Sequence, residues 1–188
     1  MKRLFALFFF ALMLTGCATP KGDRMDTNVT FYNYNSYSKG YYKEKTFLLY
    51  FENNGKPYLS YQAESSASDS WFKLSVNQEQ AATIISIIDK YFEWEAIAAR
   101  DKDMINIEIT SGLALQDWDY KFSFSVISHT PESHVLKMDQ CGTQFFAQVC
   151  QYTHPIMYVG TYDAKILKQE LQKFIAGKFQ AVNYNKYN

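Results

Sequence analysis

This 188-residue sequence contains little glycine and little proline, and neither positive nor negative charge is in excess. It has eight Gly and four Pro, and it contains no Gly-x-Ser-x-Gly elbow, phosphate-cradling glycine loop or dinucleotide fingerprint. Basic and acidic side chains number 19 each, so the basic face that a nucleic-acid partner requires is lacking. The sequence therefore argues against a nucleotide-binding enzyme, a serine hydrolase of that kind and a nucleic-acid partner.

Residues that bind metals are also few. The three histidines are His129, His134 and His154, and no two of them form a helical His-x-x-x-His pair. Two of them flank a turn containing Glu132, which would allow a surface metal site, but turn histidines that simply contact solvent are commoner. We expect no metal site and no dissociable cofactor.

The first sixteen residues have the layout of a secretory signal. Lys2 and Arg3 precede an apolar run from Leu4 to Leu14. That run is well short of the roughly 20 residues that span a bilayer, so we expect no retained transmembrane helix. Removing 16 residues from 188 leaves 172, with 17 basic and 19 acidic side chains.

The end of this segment, Leu14-Thr15-Gly16-Cys17, resembles the lipobox of bacterial lipoproteins. The resemblance implies cleavage before Cys17 and the attachment there of diacylglycerol and usually an acyl chain such as palmitate. Several chains anchor a protein firmly to a membrane. Ala18 follows instead of Asp, and the resemblance then favours an outer membrane, facing the periplasm, over an inner membrane. The alternative is an ordinary signal peptide with a cysteine near its cleavage site.

The mature chain suits a single domain with a substantial core. Residues 17–28 are polar and small, so we expect a flexible tether, followed by a globular domain over 29–182 and a frayed tail over 183–188. Cys141 and Cys150 remain in an oxidising compartment and predict a disulfide, which would stabilise the fold by about 2.7 kcal/mol. Two buried free thiols are the alternative.

Alternating aromatic and polar residues indicate a sheet-rich protein, and aromatics make up 18% of the chain. Thr46–Phe51 and Tyr58–Gln62 flank Asn53-Asn54-Gly55, which predicts a hairpin. Ile105, Ile107 and Ile109 alternate with polar residues and predict a strand that buries one face. The same pattern is clearest over 118–126. Residues 29–42 predict a strand followed by a loop around Ser38 to Gly40. Further short strands are expected over 71–76, 134–138, 145–152 and 156–159.

Two helices are expected. Asn77 and Gln80 have the spacing of a capping box, and the apolar stripe after them predicts a helix ending near Arg100. A second stripe opens near 161–163 and closes at Gly177. The predicted fold class is α+β, a mainly antiparallel sheet of about eight strands with both amphipathic helices packed on one face.

Two groups of side chains are candidates for function. Asp117 and Asp119 share the wet face of a strand and would suit acid-base chemistry or calcium, although a solvated strand face is the commoner explanation. The other group is a candidate binding surface, because tyrosines recur at interfaces and stack on sugar rings. Its members are Tyr32, Tyr34, Tyr37, Tyr41 and Tyr42.

Together these features predict a non-enzymatic envelope lipoprotein that binds another protein or a peptidoglycan component through its globular domain. The alternative is a small envelope hydrolase or sugar-active enzyme that uses acidic residues such as Asp117 and Asp119. The anchor and the lack of a catalytic constellation favour the first hypothesis, because no nucleophile or third ligand can be assigned to the two aspartates.

Overall fold

The computed structural model describes residues 22–64, 71–115, 120–144, 147–153 and 155–179, with backbone alone over 143, 144 and 147–153. In these ranges the chain forms eleven strands and two helices, and every strand pairing is antiparallel. This confirms an α+β fold with antiparallel sheet structure. The expected single sheet of about eight strands is wrong, because the strands divide between two sheets.

The smaller sheet has four strands in the order β1-β4-β5-β6. The strands are β1 (Asp23–Met25), β4 (Lys45–Asn53), β5 (Lys56–Glu64) and β6 (Trp71–Val76). The predicted hairpin joins β4 to β5, and its turn residues Asn54 and Gly55 have φ angles of 51° and 71°. Two consecutive positive φ angles match the twist of a two-residue hairpin, which explains the Asn-Gly pair.

Strand β1 lies inside the segment that we expected to be a flexible tether. It pairs with β4, placing the buried Met25 opposite Leu48. Residues 23–25 therefore belong to the folded domain, and a three-residue strand with one apolar side chain is too short to show a periodicity in sequence. Cys17, the signal segment 1–16 and the tail 183–188 lie outside the described residues.

The larger sheet has seven strands. Six follow the order β3-β2-β11-β9-β8-β7, and β10 also pairs with β9. They are β2 (Tyr32–Asn35), β3 (Gly40–Lys43), β7 (Asn106–Ala114), β8 (Tyr120–Thr130), β9 (Ser133–Gln144), β10 (Ala147–Thr153) and β11 (Met157–Gly160). Strand β11 lies between β2 and β9, so an early strand and the last strand of the described chain are neighbours in this sheet.

The predicted burial of one face is confirmed for β8 and only in part for β7, where Ile109, and Ile105 just before the strand, are partly buried against the core. Phe122, Phe124 and Val126 are buried along β8. Ile107 of β7 is 44% exposed, because β7 is the last strand of the sheet and no described strand pairs with its outer side. The register also shifts after Glu108, which disturbs the alternation of inward and outward side chains.

Helix α1 (Gln78–Asp101) begins at the predicted residue. The Asn77 side chain accepts the Gln80 backbone N–H, and the Gln80 side chain accepts the Asn77 N–H in return. Ile84, Ile88 and Tyr91 lie buried along one side of the helix, as the spacing predicts. The capping box and the apolar stripe are confirmed.

Helix α2 (Thr161–Ile175) follows β11 directly and is closed by Gly177 at φ 65°. It packs against α1 and against β9 and β11 of the larger sheet. It also contacts the smaller sheet, where the Tyr61 hydroxyl of β5 donates to Glu170 at 2.9 Å. We expected both helices to pack on one face of a single sheet. This is wrong, because the helices touch both sheets.

One hydrophobic core joins all of these layers. It contains Leu59 and Phe72 from the smaller sheet, Phe124 from the larger sheet, and side chains of both helices such as Ile88 and Leu171. Within the described residues, neither helix combines the length and the apolar character that a membrane span requires.

Candidate functional site

The β2–β3 hairpin divides the predicted tyrosine surface into two parts. Tyr34 pairs with Tyr41, and Tyr32 pairs with Lys43, so these side chains share one face of the sheet. Tyr42 pairs with Asn33 on the opposite face. Tyr37 lies in the turn and is 98% exposed. The structure brings Tyr32, Tyr34 and Tyr41 together and separates Tyr37 and Tyr42 from them.

Two aromatic side chains from distant parts of the chain complete this face. The Tyr158 ring lies 5.2 Å from that of Tyr41 at an interplanar angle of 78°. The His129 ring stacks on Tyr34 at 6.0 Å and 15°, and it hydrogen-bonds the Tyr41 hydroxyl. We call Tyr34, Tyr41, His129 and Tyr158 the aromatic face.

The aromatic face is concave. In the strand order, β2, β11 and β9 lie between Tyr41 on β3 and His129 on β8. A flat sheet would hold β3 and β8 about 19 Å apart, since neighbouring strands are spaced by about 4.8 Å. The two rings nevertheless approach to 4.7 Å between centroids. The sheet must curl strongly here, so its outer surface forms a trough.

Burial sets the protonation of the rings in this trough. Desolvation lowers the pKa of His129, so its imidazole is uncharged at neutral pH. Desolvation, followed by the charge of Asp139, raises the pKa of Tyr158 and keeps its hydroxyl protonated. His129 and Tyr158 therefore contribute neutral rings to the aromatic face.

A cavity of about 250 Å³ opens beside the aromatic face, where β11 passes into α2. We call it the tyrosine cavity. It is lined by Tyr32, Tyr41, Val135, Tyr158, Gly160, Thr161, Tyr162 and Asp163. Tyr162 is 74% exposed and stands at the rim. Gly160 leaves room, because a Cβ atom placed there would meet nothing within 4 Å.

Asp163 is the acidic group of the tyrosine cavity. It lies in the first turn of α2, is 6% exposed, and accepts the Thr30 backbone N–H at 2.9 Å. Partial burial, then the charge of Asp163 and its hydrogen bond, raise the pKa of Tyr32. In the part of the chain that the structure describes, no Lys, Arg or His forms an ion pair with this carboxylate.

His134 is buried, contrary to the expectation that it contacts solvent at its turn. Its two ring nitrogens are engaged by the Ser128 hydroxyl at 2.7 Å and the Pro131 carbonyl at 3.1 Å. This ring therefore holds the β8–β9 turn in place. The described ranges contain no group of three His, Cys, Asp or Glu residues that could hold a metal ion. His154 lies outside those ranges.

The remaining candidate residues are only partly described. Asp117 and Asp119 lie outside the described residues. Cys141 on β9 is disulfide-bonded, and in the register it faces Thr153 of β10, while Cys150 faces Thr143. Because the side chain of Cys150 is outside the described part, its pairing with Cys141 stays a prediction.

Sequence reasoning missed three important residues of the site. Tyr158 alternates with the buried Met157 and Val159, so the expected strand over 156–159 already placed it on an outer face. His129 and Asp163 gave no comparable signal, because their role depends on contacts between strands far apart in the chain.

The sequence matches no protein-family model, and a comparison with curated proteins finds no match. The function is therefore argued from the geometry of the aromatic face and the tyrosine cavity, together with the features of the N-terminal segment.

Proposed function

We propose that this protein is a non-enzymatic bacterial envelope lipoprotein whose globular domain binds a protein or a cell-wall component through the aromatic face. The observation that carries the proposal is the concave array of Tyr34, Tyr41, His129 and Tyr158, all of them half-buried. Aromatic side chains that are half open to solvent offer a large apolar contact area at low entropic cost.

The hydrogen bonds around this array also support a binding role. The Tyr41 hydroxyl is bonded to His129, and Asp163 is bonded to Thr30. Side chains held by such bonds form a preorganised surface, which reduces the entropic cost of binding.

Nucleophilic catalysis would need a nucleophile within reach of an adjacent base. The Ser128 hydroxyl does lie within reach of a base, His134, but that ring is buried and holds the β8–β9 turn through its bond to the Pro131 carbonyl.

The anchor follows from the N-terminal sequence. The lipobox resemblance places a diacylglycerol and an acyl chain on Cys17, and Ala18 favours the outer membrane, with the domain facing the periplasm. The aromatic face would then meet partners that are themselves confined to the envelope. Confinement to one compartment raises the effective concentration of such partners.

Capture of partners from detergent-solubilised membranes tests this proposal. The tagged full-length protein is compared with a double variant of the aromatic face, Tyr34→Ser with Tyr41→Ser. The matched control is Tyr37→Ser with Tyr42→Ser, which removes two tyrosines of the same hairpin that lie off the aromatic face. We expect one partner to be enriched with the wild type and the control and to be lost with the face variant.

Thermal melting of each variant separates loss of the face from loss of the fold. The proposal is contradicted if the face variant captures the same partner as the wild type, or if repeated captures enrich no partner at all.

A further inference from the structure

We propose that the tyrosine cavity binds a small organic cation, an alkylammonium group of the quaternary type found in choline. This inference rests on the proposed function, because it assumes that the aromatic face and the adjoining tyrosine cavity form a binding site. It adds the chemical class of ligand that the cavity recognises. It is carried by three properties of the cavity: the nature of its walls, its charge and its size.

The walls are aromatic. Tyr41 and Tyr158 meet at 78° and form two adjoining sides, and Tyr32 and Tyr162 supply further ring surface. The negative faces of aromatic rings attract a cation held against them, and quaternary ammonium groups are recognised by cages built in this way.

The charge is complementary. Asp163 contributes a carboxylate that is 6% exposed and lacks a basic partner among the described residues. Its hydrogen bonds from the Thr30 N–H and the Tyr32 side chain supply no positive charge. A buried carboxylate beside an open cavity favours a cationic occupant and disfavours an anion, because charges interact strongly where water is excluded.

The size fits a small head group. The cavity measures about 250 Å³, which is below the roughly 300–1,000 Å³ of pockets that hold drug-sized ligands. Open space at Gly160 accounts for part of this room.

A sugar fits these walls less well. The Thr161 hydroxyl is already engaged with Tyr91 at 3.1 Å and with Glu95 at 3.2 Å. The other walls include Val135 and Gly160, whose side chains offer no hydrogen bond. The Tyr41 hydroxyl is engaged with His129 and the Tyr32 side chain with Asp163. A sugar ring would therefore bury several hydroxyls against few free partners, which costs binding free energy. An ammonium with methyl substituents has no such requirement.

Isothermal titration of the full-length protein in detergent, with choline chloride as the probe, tests the inference. The matched ligand is 3,3-dimethyl-1-butanol, which has the same shape as choline with carbon in place of the charged nitrogen. We expect choline to bind and the neutral alcohol to bind about tenfold more weakly or not at all, since only the cation gains from the rings and the carboxylate.

Two variants connect this binding to the cavity. Asp163→Asn keeps an oxygen for the Thr30 N–H and removes the charge, and we expect choline affinity to fall about tenfold. Gly160→Leu places a side chain on the same strand face as Tyr158, in open space, and should block binding. Tyr37→Ser, which alters an exposed turn residue off the cavity, should bind like the wild type. Melting curves confirm that each variant is folded.

A short-chain phosphatidylcholine, titrated into the protein in detergent, distinguishes the source of the group, because capture on vesicles would follow from the Cys17 anchor alone. Binding of free choline without binding of this lipid indicates a soluble cation, whereas Asp163-dependent binding of the lipid indicates a lipid head group. The inference is overturned if choline does not bind, if the neutral alcohol binds equally well, or if both cavity variants bind normally.

The two proposals fail in different ways. Loss of choline binding, while partner capture still depends on Tyr34 and Tyr41, would refute the cation site and leave the binding module intact. Choline binding without any captured partner would refute the proposed binding of a protein or cell-wall partner and leave the cation site intact.

Discussion

The Tyr91 hydroxyl shows how one buried polar group joins three elements. It extends from α1, donates to the His134 carbonyl of β9 at 3.0 Å and bonds the Thr161 hydroxyl of α2 at 3.1 Å. Burial raises the pKa of Tyr91 to about 12; the Thr161 bond lowers it and the charge of Glu95 raises it. The protonated hydroxyl is therefore the form that the fold requires.

This requirement predicts a specific loss of stability in alkali. Unfolded tyrosine ionises near pH 10, so the contribution of Tyr91 is complete below that pH and is lost as the pH rises to about 12. The loss amounts to ~2–3 kcal/mol in the free energy of unfolding. Urea denaturation at several pH values should show a steeper alkaline decline in the wild type than in Tyr91→Phe.

Tyr37→Phe is the matched control, because its side chain is exposed in a turn; it should decline as steeply as the wild type. Equal declines in the wild type and Tyr91→Phe would contradict the assignment. At pH 8 Tyr91→Phe should be less stable by about 1–2 kcal/mol, since it loses two hydrogen bonds.

At the same scale, the sequence predicted only the local part of the site. Tyr32, Tyr34 and Tyr41 could be singled out because they lie close together in a strand pattern. His129 is 88 residues from Tyr41, and Asp163 is 133 residues from Thr30. Such contacts depend on which strands become neighbours, and no local periodicity encodes that choice.

The start of α1 allows the value of a helix cap to be measured. Two reciprocal hydrogen bonds join Asn77 and Gln80, at 2.9 and 3.0 Å. We expect Asn77→Ala to lower the free energy of unfolding by about 1 kcal/mol, because it leaves a backbone N–H of the first turn without its partner. Urea denaturation measures the change.

Thr83→Ala, an exposed change in the same helix, is the control and should stay within about 0.5 kcal/mol of the wild type. A double variant of Asn77 and Gln80 that loses no more than Asn77→Ala would show that the two bonds act as one unit. A fully additive loss would contradict the capping box as a coupled motif.

Elements with strong local signals were predicted, and elements defined by their neighbours were not. The β4–β5 hairpin was fixed by its Asn-Gly turn and α1 by its cap and its apolar stripe. β1 has three residues, and its place depends on the edge of β4. Ile107 is exposed because β7 lies at the edge of its sheet, and the sequence of β7 alone cannot indicate that position.

For the molecule as a whole, the fold class could be predicted from the sequence, but the division into two sheets could not. The larger sheet is held together by the insertion of β11 between β2 and β9, which pairs Tyr158 with both Tyr32 and Lys137. Pairings between strands so far apart along the chain form only when the whole domain folds. Antiparallel hairpins could be predicted one by one, whereas their assembly could not.

Intact mass spectrometry of protein purified from membranes tests the covalent state of the whole chain. We expect a chain that begins at Cys17, carries added lipid mass and gains two hydrogens on reduction. Lipid mass on a chain that begins at Cys17 would support the anchor. The gain of two hydrogens on reduction would support the bridge between Cys141 and Cys150. Cys17→Ser should accumulate as unprocessed precursor. Its normal release as a soluble protein would contradict the lipoprotein assignment.

The junction between β11 and α2 has a consequence for how this protein can change. Gly160 ends the strand and Thr161 begins the helix, so no loop separates Tyr158 from Asp163. One residue inserted between them would turn Asp163 by about 100° around the helix axis and away from the rings. The number of residues at this junction therefore sets the orientation of Asp163 relative to the rings. Substitutions can change the shape of the cavity over evolution, whereas a single insertion or deletion would separate the carboxylate from the rings.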